Sequence, residues 1–438
     1  ISVEERGSIM LDDFKRIRVL SADHLNLARG KYVPAGLAKK GEMNACIGIY
    51  AVDYKRDLIN APGAGMEMGL PDLKAIYDIK QVRPSWEKDT GVVVADLYSN
   101  DKPLPLCGRS LLKMTLADWK ALGCTVNIGI ELQAYVFQRG HDGKWEPYDT
   151  PGAYVYGTGP SVDPEGLMDI VWEAAEKLNF PIEAINSEFD WPQFEFTLEY
   201  ADALTALDNL FLFRLMAKEL LIKQGYLFSF MPKPLSDRGG SGMHLNISLS
   251  DEHGNNLLDD PSKDDGLSDI VKPMIAGLIK HHVSLAALMC PTINSYKRLR
   301  PSNICGHAGN WGYDHRCATT RIPLDRGKGT RIEHRLADCA ANPYIAAAAA
   351  LQACRLGFTK QYPVPDPEPS EGFTEPKTDN VIPDTMGEGL RALKADTDLT
   401  EAIGQPMVDH FLAIKGKEWN EYLDHTTDWE IDTYLEFI

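Results

Sequence analysis

An α+β architecture is predicted for this chain, and three observations carry the prediction. Stretches at 124–137, 192–200, 238–250 and 328–336 alternate in polarity with the two-residue period of a strand. Longer stretches at 201–224, 271–289 and from 343 onward have helical spacing or an alanine run. Near residue 107 the pattern changes from short strands and Gly/Pro-rich loops to longer elements of both kinds. The implied organisation is a small β-rich region over 14–107 and a larger one over 108–438, in a chain of 438 residues that exceeds the usual single core.

Taken in order, FKRIRVLSAD (14–23) alternates as a strand, Arg29-Gly30-Lys31 reads as a turn, 61–72 as a loop, and GVVVADLY (91–98) as one compact strand. SLLKMTLADWKALG (110–123) has helical spacing and stops on Gly123. In 124–137, Glu131, Gln133 and Tyr135 share one face, against Ile130, Leu132, Ala134 and Val136 on the other. A helix around 163–178 leads to 192–200, where Gln193, Glu195, Thr197 and Glu199 oppose Phe194, Phe196, Leu198 and Tyr200. The helix over 201–224 closes on Gly225.

A glycine turn then enters 238–250, where His244, Asn246 and Ser248 share a face. One helix over 271–289, a basic loop over 294–303 and a strand over 317–323 follow. Between Lys328 and Tyr344, Arg331, Glu333 and Arg335 alternate with Ile332, His334 and Leu336. Asn342 and Pro343 have the chemistry of a helix cap and first turn, and Ala346 to Ala350 propagate the helix. Residues 359–386 read as a surface excursion and 387–438 as helical.

Composition limits what the chain binds. Hydrophobic residues at 44% and charged residues at 25% are values of a folded protein. A net charge of −18 argues against nucleic acid or an anionic membrane as partner, and makes local arginine clusters stand out as anion sites. No apolar run approaches the ~20 residues of a membrane span, and the opening ISVEERGSIMLDDF lacks the basic-then-apolar order of a secretory leader. Eight cysteines without a CxxC pair predict reduced thiols in a cytoplasmic protein and argue against cysteine-bound zinc.

Four strands thus carry ionisable faces: Glu131, Gln133, Glu195, His244, Glu333 and Arg335. Each residue alone reads equally well as a solvated strand face or a satisfied core group. Together they have the donors for hard divalent ions such as Mg²⁺ or Mn²⁺. Arg298, Arg316, Arg321, Arg331 and Arg335 supply permanently charged donors suited to phosphates and carboxylates.

These residues fall within motifs that resemble the glutamine synthetase family, type I, especially relatives that join glutamate to amines other than ammonia. The motifs are IELQ (130–133), EFDWPQFE (188–195), FMPKP (230–234), GSGMH (240–244), NSYKR (294–298), Arg316 with RIP (321–323), RIEHR (331–335), ANPY (341–344) and DWE (428–430) with Tyr434. The resemblance implies an N-terminal β-grasp domain over 14–107. It also implies a catalytic domain over 108–438, an antiparallel-sheet bifunnel surrounded by helices. Two stacked hexamers, with sites between subunits, are the implied assembly.

The implied chemistry is ATP-dependent formation of a γ-glutamyl amide from glutamate and an amine through γ-glutamyl phosphate. Residue by residue, the resemblance puts Glu131, His244 and Glu333 on the metal at the ATP phosphates. Gln133, Glu188 and Glu195 match the metal nearer glutamate, and Arg298, Arg335 and Gly240 match the glutamate site. Arg316 and Arg321 match groups on the transferring phosphate, Lys328 and Arg331 nucleotide contacts, and Tyr200 and Ser248 the nucleoside position.

Four departures stand out. Gln133 replaces a metal-binding glutamate, which predicts a weaker or differently occupied second metal. Asn246 replaces a phosphate-facing histidine. Ile304 falls where glutamine synthetase proper has a glutamate shaping its ammonium pocket, and 53–69 does not reproduce the family's ammonium-binding aspartate stretch, with Asp53 or Asp57 as the candidate substitutes. The expected amine therefore bears carbon: an alkylamine, polyamine, amino alcohol or aromatic amine. Ordinary glutamine synthetase is the nearest alternative, a non-catalytic structural or regulatory member a second, and a metallohydrolase a third that would not need the arginines.

Overall fold

A computed structural model describes residues 11–438 except 302 and 373, so the leader reading of residues 1–10 lies outside the described residues. The centre is a nine-stranded sheet whose longest member, Thr125–Arg139, pairs on one side with Gln193–Asp202 and on the other with Met243–Ser250. Ile332–His334, Thr320–Ile322 and Trp311–Tyr313 continue the path. The pairing is antiparallel except between the last two strands, which run parallel.

Alternation explains how the sheet sits. Ile128, Ile130, Leu132, Ala134 and Val136 are buried on the helix-covered face. Helix Ala203–Lys223 packs there, with Phe213 edge-on to Phe196 at 5.5 Å. Helix Pro343–Lys360 is buried almost throughout, as an alanine-rich helix with no polar face must be. Asn342 caps it as expected: its Oδ1 accepts from the N–H groups of Tyr344 at 3.0 Å and Ile345 at 3.2 Å.

The N-terminal region contains two four-stranded sheets. In one, Arg16–Ala22 is antiparallel to Ala28–Pro34 and parallel to Thr90–Val94. Its strands divide their side chains between two cores: Ile17, Val19 and Val93 face the N-terminal core, whereas Leu20, Ala22, Val92 and Val94 join the main one. Polar ties cross the same junction. Arg18 donates twice to Glu219, at 2.8 and 2.6 Å, and Asn342 donates to the carbonyl of Asp23 at 2.8 Å. The eight cysteines are all free thiols. No helix among the described residues is long and apolar enough to cross a membrane.

Four local expectations need correction. Arg29-Gly30-Lys31 is not a turn but the middle of strand Ala28–Pro34. Gly30 is there because a Cβ would lie 1.9 Å from the Val19 carbonyl oxygen. GVVVADLY is two strands, Thr90–Val94 and Asp96–Ser99, in different sheets. The stretch 271–289 is two helices, Val271–Lys280 and His282–Met289, parted at His281, whose ring bonds Asp396 at 2.7 Å. The basic loop contains a short helix, Ser295–Arg298, and Arg298 is buried.

Helices Val271–Lys280 and Pro343–Lys360 meet backbone to backbone. A Cβ on Gly277 would stand 2.0 Å from the carbonyl oxygen of Ala353, and one on Gly357 would stand 2.1 Å from that of Pro273. Gly277→Ala is expected to destabilise by about 2–3 kcal/mol in urea unfolding, because the backbones must separate. Gly416→Ala, where nothing lies within 4 Å, should be neutral or stabilising by up to about 1 kcal/mol.

Buried imidazoles set a pH dependence. Burial, and the neighbouring His410, hold His24 down to about 3. Burial likewise holds His282 down to about 4. The unfolded chain takes up protons near pH 6.5 that these folded rings refuse, so their contribution is complete above that value and lost as the pH falls below it. Thermal melts should fall between pH 6.5 and 4.5. His282→Gln should make the decline shallower, by up to about 1.4 kcal/mol per pH unit.

Candidate active site

Register brings the ionisable groups together. His244 lies opposite Glu131, Glu195 opposite Gln133, and Glu333 sits between Asn246 on one neighbouring strand and Arg321 on the other. Cross-strand partners are close enough for direct contact. The His244 Nδ1 is 2.7 Å from Glu131 Oε1 and 3.8 Å from Glu333 Oε1. Glu333, only 2% exposed, accepts from Arg321 at 2.8 Å and from Arg335. Arg321 also reaches Asp314 at 2.6 Å.

The charges are strongly coupled to this setting. Burial works against ionising Glu131, but His244, the Glu195 hydrogen bond and Arg335 together outweigh it and hold the carboxyl well below its usual range. Burial likewise opposes Glu333, and Arg335 with His244 overcomes it. Glu195 moves the other way: burial, then the nearby carboxylates of Glu131 and Glu188, push it up. Glu131, His244 and Glu333 offer ligand atoms that lie within 4.8 Å of one another. Two carboxylate oxygens and an imidazole nitrogen fit Mg²⁺ or Mn²⁺, so the donor set suits the expected metal.

Above this group opens a cavity of about 620 Å³. Of the expected site residues, Glu131, Glu195, Tyr200, Ser248, Arg316, Arg321, Lys328, Arg331 and Glu333 line it. Arg331 is held by Asn246 Oδ1 at 3.1 Å and Asp325 at 2.7 Å. His244 and Arg335 stand behind, touching Glu131 and Glu333. Gln133 donates to Glu188 at 2.8 Å and to Glu195 at 3.0 Å, and accepts from the Gly242 N–H at 2.8 Å.

Arg298 and Gly240 lie together away from the cavity lining. Arg298 is 3% exposed and donates to the carbonyls of Leu336 at 2.9 Å and Arg335 at 3.3 Å. A Cβ on Gly240 would stand 2.6 Å from the Pro232 carbonyl oxygen and 2.7 Å from the Arg298 side chain, so the loop requires glycine here.

Several lining residues escaped sequence reasoning. Tyr156, at φ 57°, donates its N–H to the Ser187 carbonyl at 2.9 Å from a loop with no periodicity. Glu183, Asn186 and Asp325 also line the cavity. Thr197 stood on the correct strand face, and pairs with Glu131, but a lone hydroxyl carried no signal. Asp53 is already engaged, by Lys417 at 2.9 Å and by the N–H groups of Lys55 and Asp57, both at 2.9 Å.

A sheet face that gathers buried carboxylates, a histidine and arginines under a polar cavity has the chemistry of a site for a divalent ion and anionic substrates. Residues 105–434 match the glutamine synthetase catalytic domain. The chain is 34% identical over 368 residues to glutamate–methylamine ligase of Methyloversatilis universalis, covering 80% of this chain and 82% of that one. It is 33% identical over 360 residues to glutamine synthetase of Clostridium saccharobutylicum, covering 80% and 81%. The solved GmaS/ADP complex superposes with a TM-score of 0.85 at 26% identity, covering 98% of this chain and 100% of that one. The chain belongs to the glutamine synthetase family, as an ATP-dependent ligase of that type.

Glu131→Ala removes one of the three convergent donor groups. Mg²⁺ with ADP is expected to raise the melting temperature of the wild type, by the equivalent of about 2.7 kcal/mol at a hundredfold excess over Kd, and most of that rise should be lost in this variant.

Proposed function

We propose that the chain forms a γ-glutamyl amide from glutamate and an amine larger than ammonia, with cleavage of ATP to ADP and phosphate. Ile304 carries this reading: by spacing along the sequence, an apolar side chain, 51% exposed, falls where the family's ammonium enzymes have a glutamate. An uncharged, carbon-bearing side chain there would favour the alkyl part of a substituted amine and offer a small cation nothing. Asp53 gives the same support, since its carboxylate is committed to Lys417. The likeness to glutamate–methylamine ligase agrees, although the likeness to glutamine synthetase is nearly as high.

In the proposed reaction the nucleoside lies between Tyr200 and Ser248, with the phosphates against Lys328, Arg331, Arg316 and Arg321. Arg335, Arg298 and the Gly240 loop form the glutamate side. A γ-carboxylate oxygen attacks the terminal phosphorus of ATP, and ADP leaves. Arg316 and Arg321 offset the charge that spreads over the phosphoryl oxygens. The amine nitrogen then attacks the acyl carbon, loses a proton, and phosphate departs with the C–O bond electrons. Glu131, His244 and Glu333 would hold a divalent ion, which when bound would supply neutralisation of the phosphate oxygens. On family likeness we also assign 14–107 and 108–438 as the two domains, two stacked hexamers as the assembly, and the cytoplasm as the compartment.

Phosphate release dependent on ATP and glutamate, measured with ammonia, methylamine, ethanolamine, putrescine and benzylamine, tests the reading. A carbon-bearing amine should exceed ammonia in kcat/KM by about tenfold or more, the scale of one or two methylenes in an apolar pocket. Ile304→Glu should shift the ratio toward ammonia. Ammonia as the best wild-type substrate would make the chain an ordinary glutamine synthetase, and a folded protein with no nucleotide turnover would make it non-catalytic.

A further inference from the structure

The family likeness implies a second metal held by Gln133, Glu188 and Glu195, and here the residues do not fit one. The Gly242 N–H is a donor only, so the atom of the Gln133 amide facing it, at 2.8 Å, must be the oxygen. The –NH₂ is then directed, by the same constraint, at Glu188 and Glu195, at 2.8 and 3.0 Å. The flipped amide would set two donors against each other and an oxygen against two carboxylates. Gln133 therefore presents hydrogens, not lone pairs, to the centre of this set.

We propose that this chain holds one tight divalent ion per subunit, on Glu131, His244 and Glu333, and that the Gln133 amide bridges Glu188 and Glu195 where a second ion would otherwise sit. The crowding of carboxyl groups agrees. The Gln133 amide hydrogens lie between Glu188 and Glu195, whereas a glutamate at position 133 would put a third carboxyl group there with no amide hydrogens to offer, which is the condition that calls in another cation.

Metal-stripped, full-length protein titrated with Mn²⁺, with free ion read by electron paramagnetic resonance, tests this directly. The wild type is expected to bind one ion per chain, with any second at least about tenfold weaker, the scale on which altered ligand surroundings act. Gln133→Glu should gain a second tight ion. Two wild-type ions of similar affinity would overturn the proposal, as would a folded Gln133→Glu that gains none. Should that variant not fold, Glu188→Gln decides: the tight ion should keep its stoichiometry and affinity, and its loss would sink the assignment. The inference rests on the metal cluster and not on the amine, so a two-ion titration and a failed amine panel are separate outcomes.

Discussion

Glu333 is the group around which the molecule is constrained. It is a carboxylate with 2% exposure, on a three-residue strand, reached by two guanidiniums and close to His244. Withdrawing such a charge from water costs several kcal/mol, and only close cations and hydrogen bonds return it. That requirement dictates the neighbours. Arg321 must come from the adjoining strand and Arg335 from the same chain segment, two residues on. The strands between must keep their registers, because a shift of one residue would turn His244 and Glu131 toward the helices.

Holding those registers falls to the apolar face behind. Ile130, Leu245, Ile247 and Ile332 are all buried, on the same strands whose other faces carry the site. The helix that follows, Pro343–Lys360, leaves the site segment through Asn342, whose amide both caps the helix and donates to Asp23 in the N-terminal region. One side chain thus joins the site strand's continuation, a largely buried helix and the N-terminal sheet. The alternation of Arg16–Ala22 and Thr90–Val94 between two cores makes the junction a packed interior instead of a hinge.

Period-two alternation was legible wherever one face was apolar, which is why Glu131, Glu195, His244 and Glu333 were found from spacing alone. It failed where tertiary contact overrode local chemistry. Arg29-Gly30-Lys31 has the composition of a turn, yet Gly30 serves a close strand crossing. The break at His281 depends on Asp396, more than a hundred residues away, and nothing local announces it. Arg298 belongs to a basic stretch that reads as a loop, yet it ends a short helix and is buried against two carbonyls. Tyr156 and Asp325 come from irregular segments, where no period exists to read. Glutamate, ATP and the amine came from family resemblance, because a polar cavity with arginines names a charge type and not a substrate.

The two neutral residues in the site bear on whether it is active or a remnant. Lost function relaxes the demand for precise partners, so a decayed position would leave polar atoms without them. Gln133 has its oxygen and both amide hydrogens engaged, and Asn246 supports Arg331, which lines the cavity. The Gly242 N–H serves the side-chain oxygen at 133, and the Gly242 carbonyl accepts from the Gln133 backbone N–H at 3.1 Å. Neutral groups that lower the local charge while bonding their neighbours adjust the electrostatics, within a framework whose arginines, carboxylates and histidine stand together.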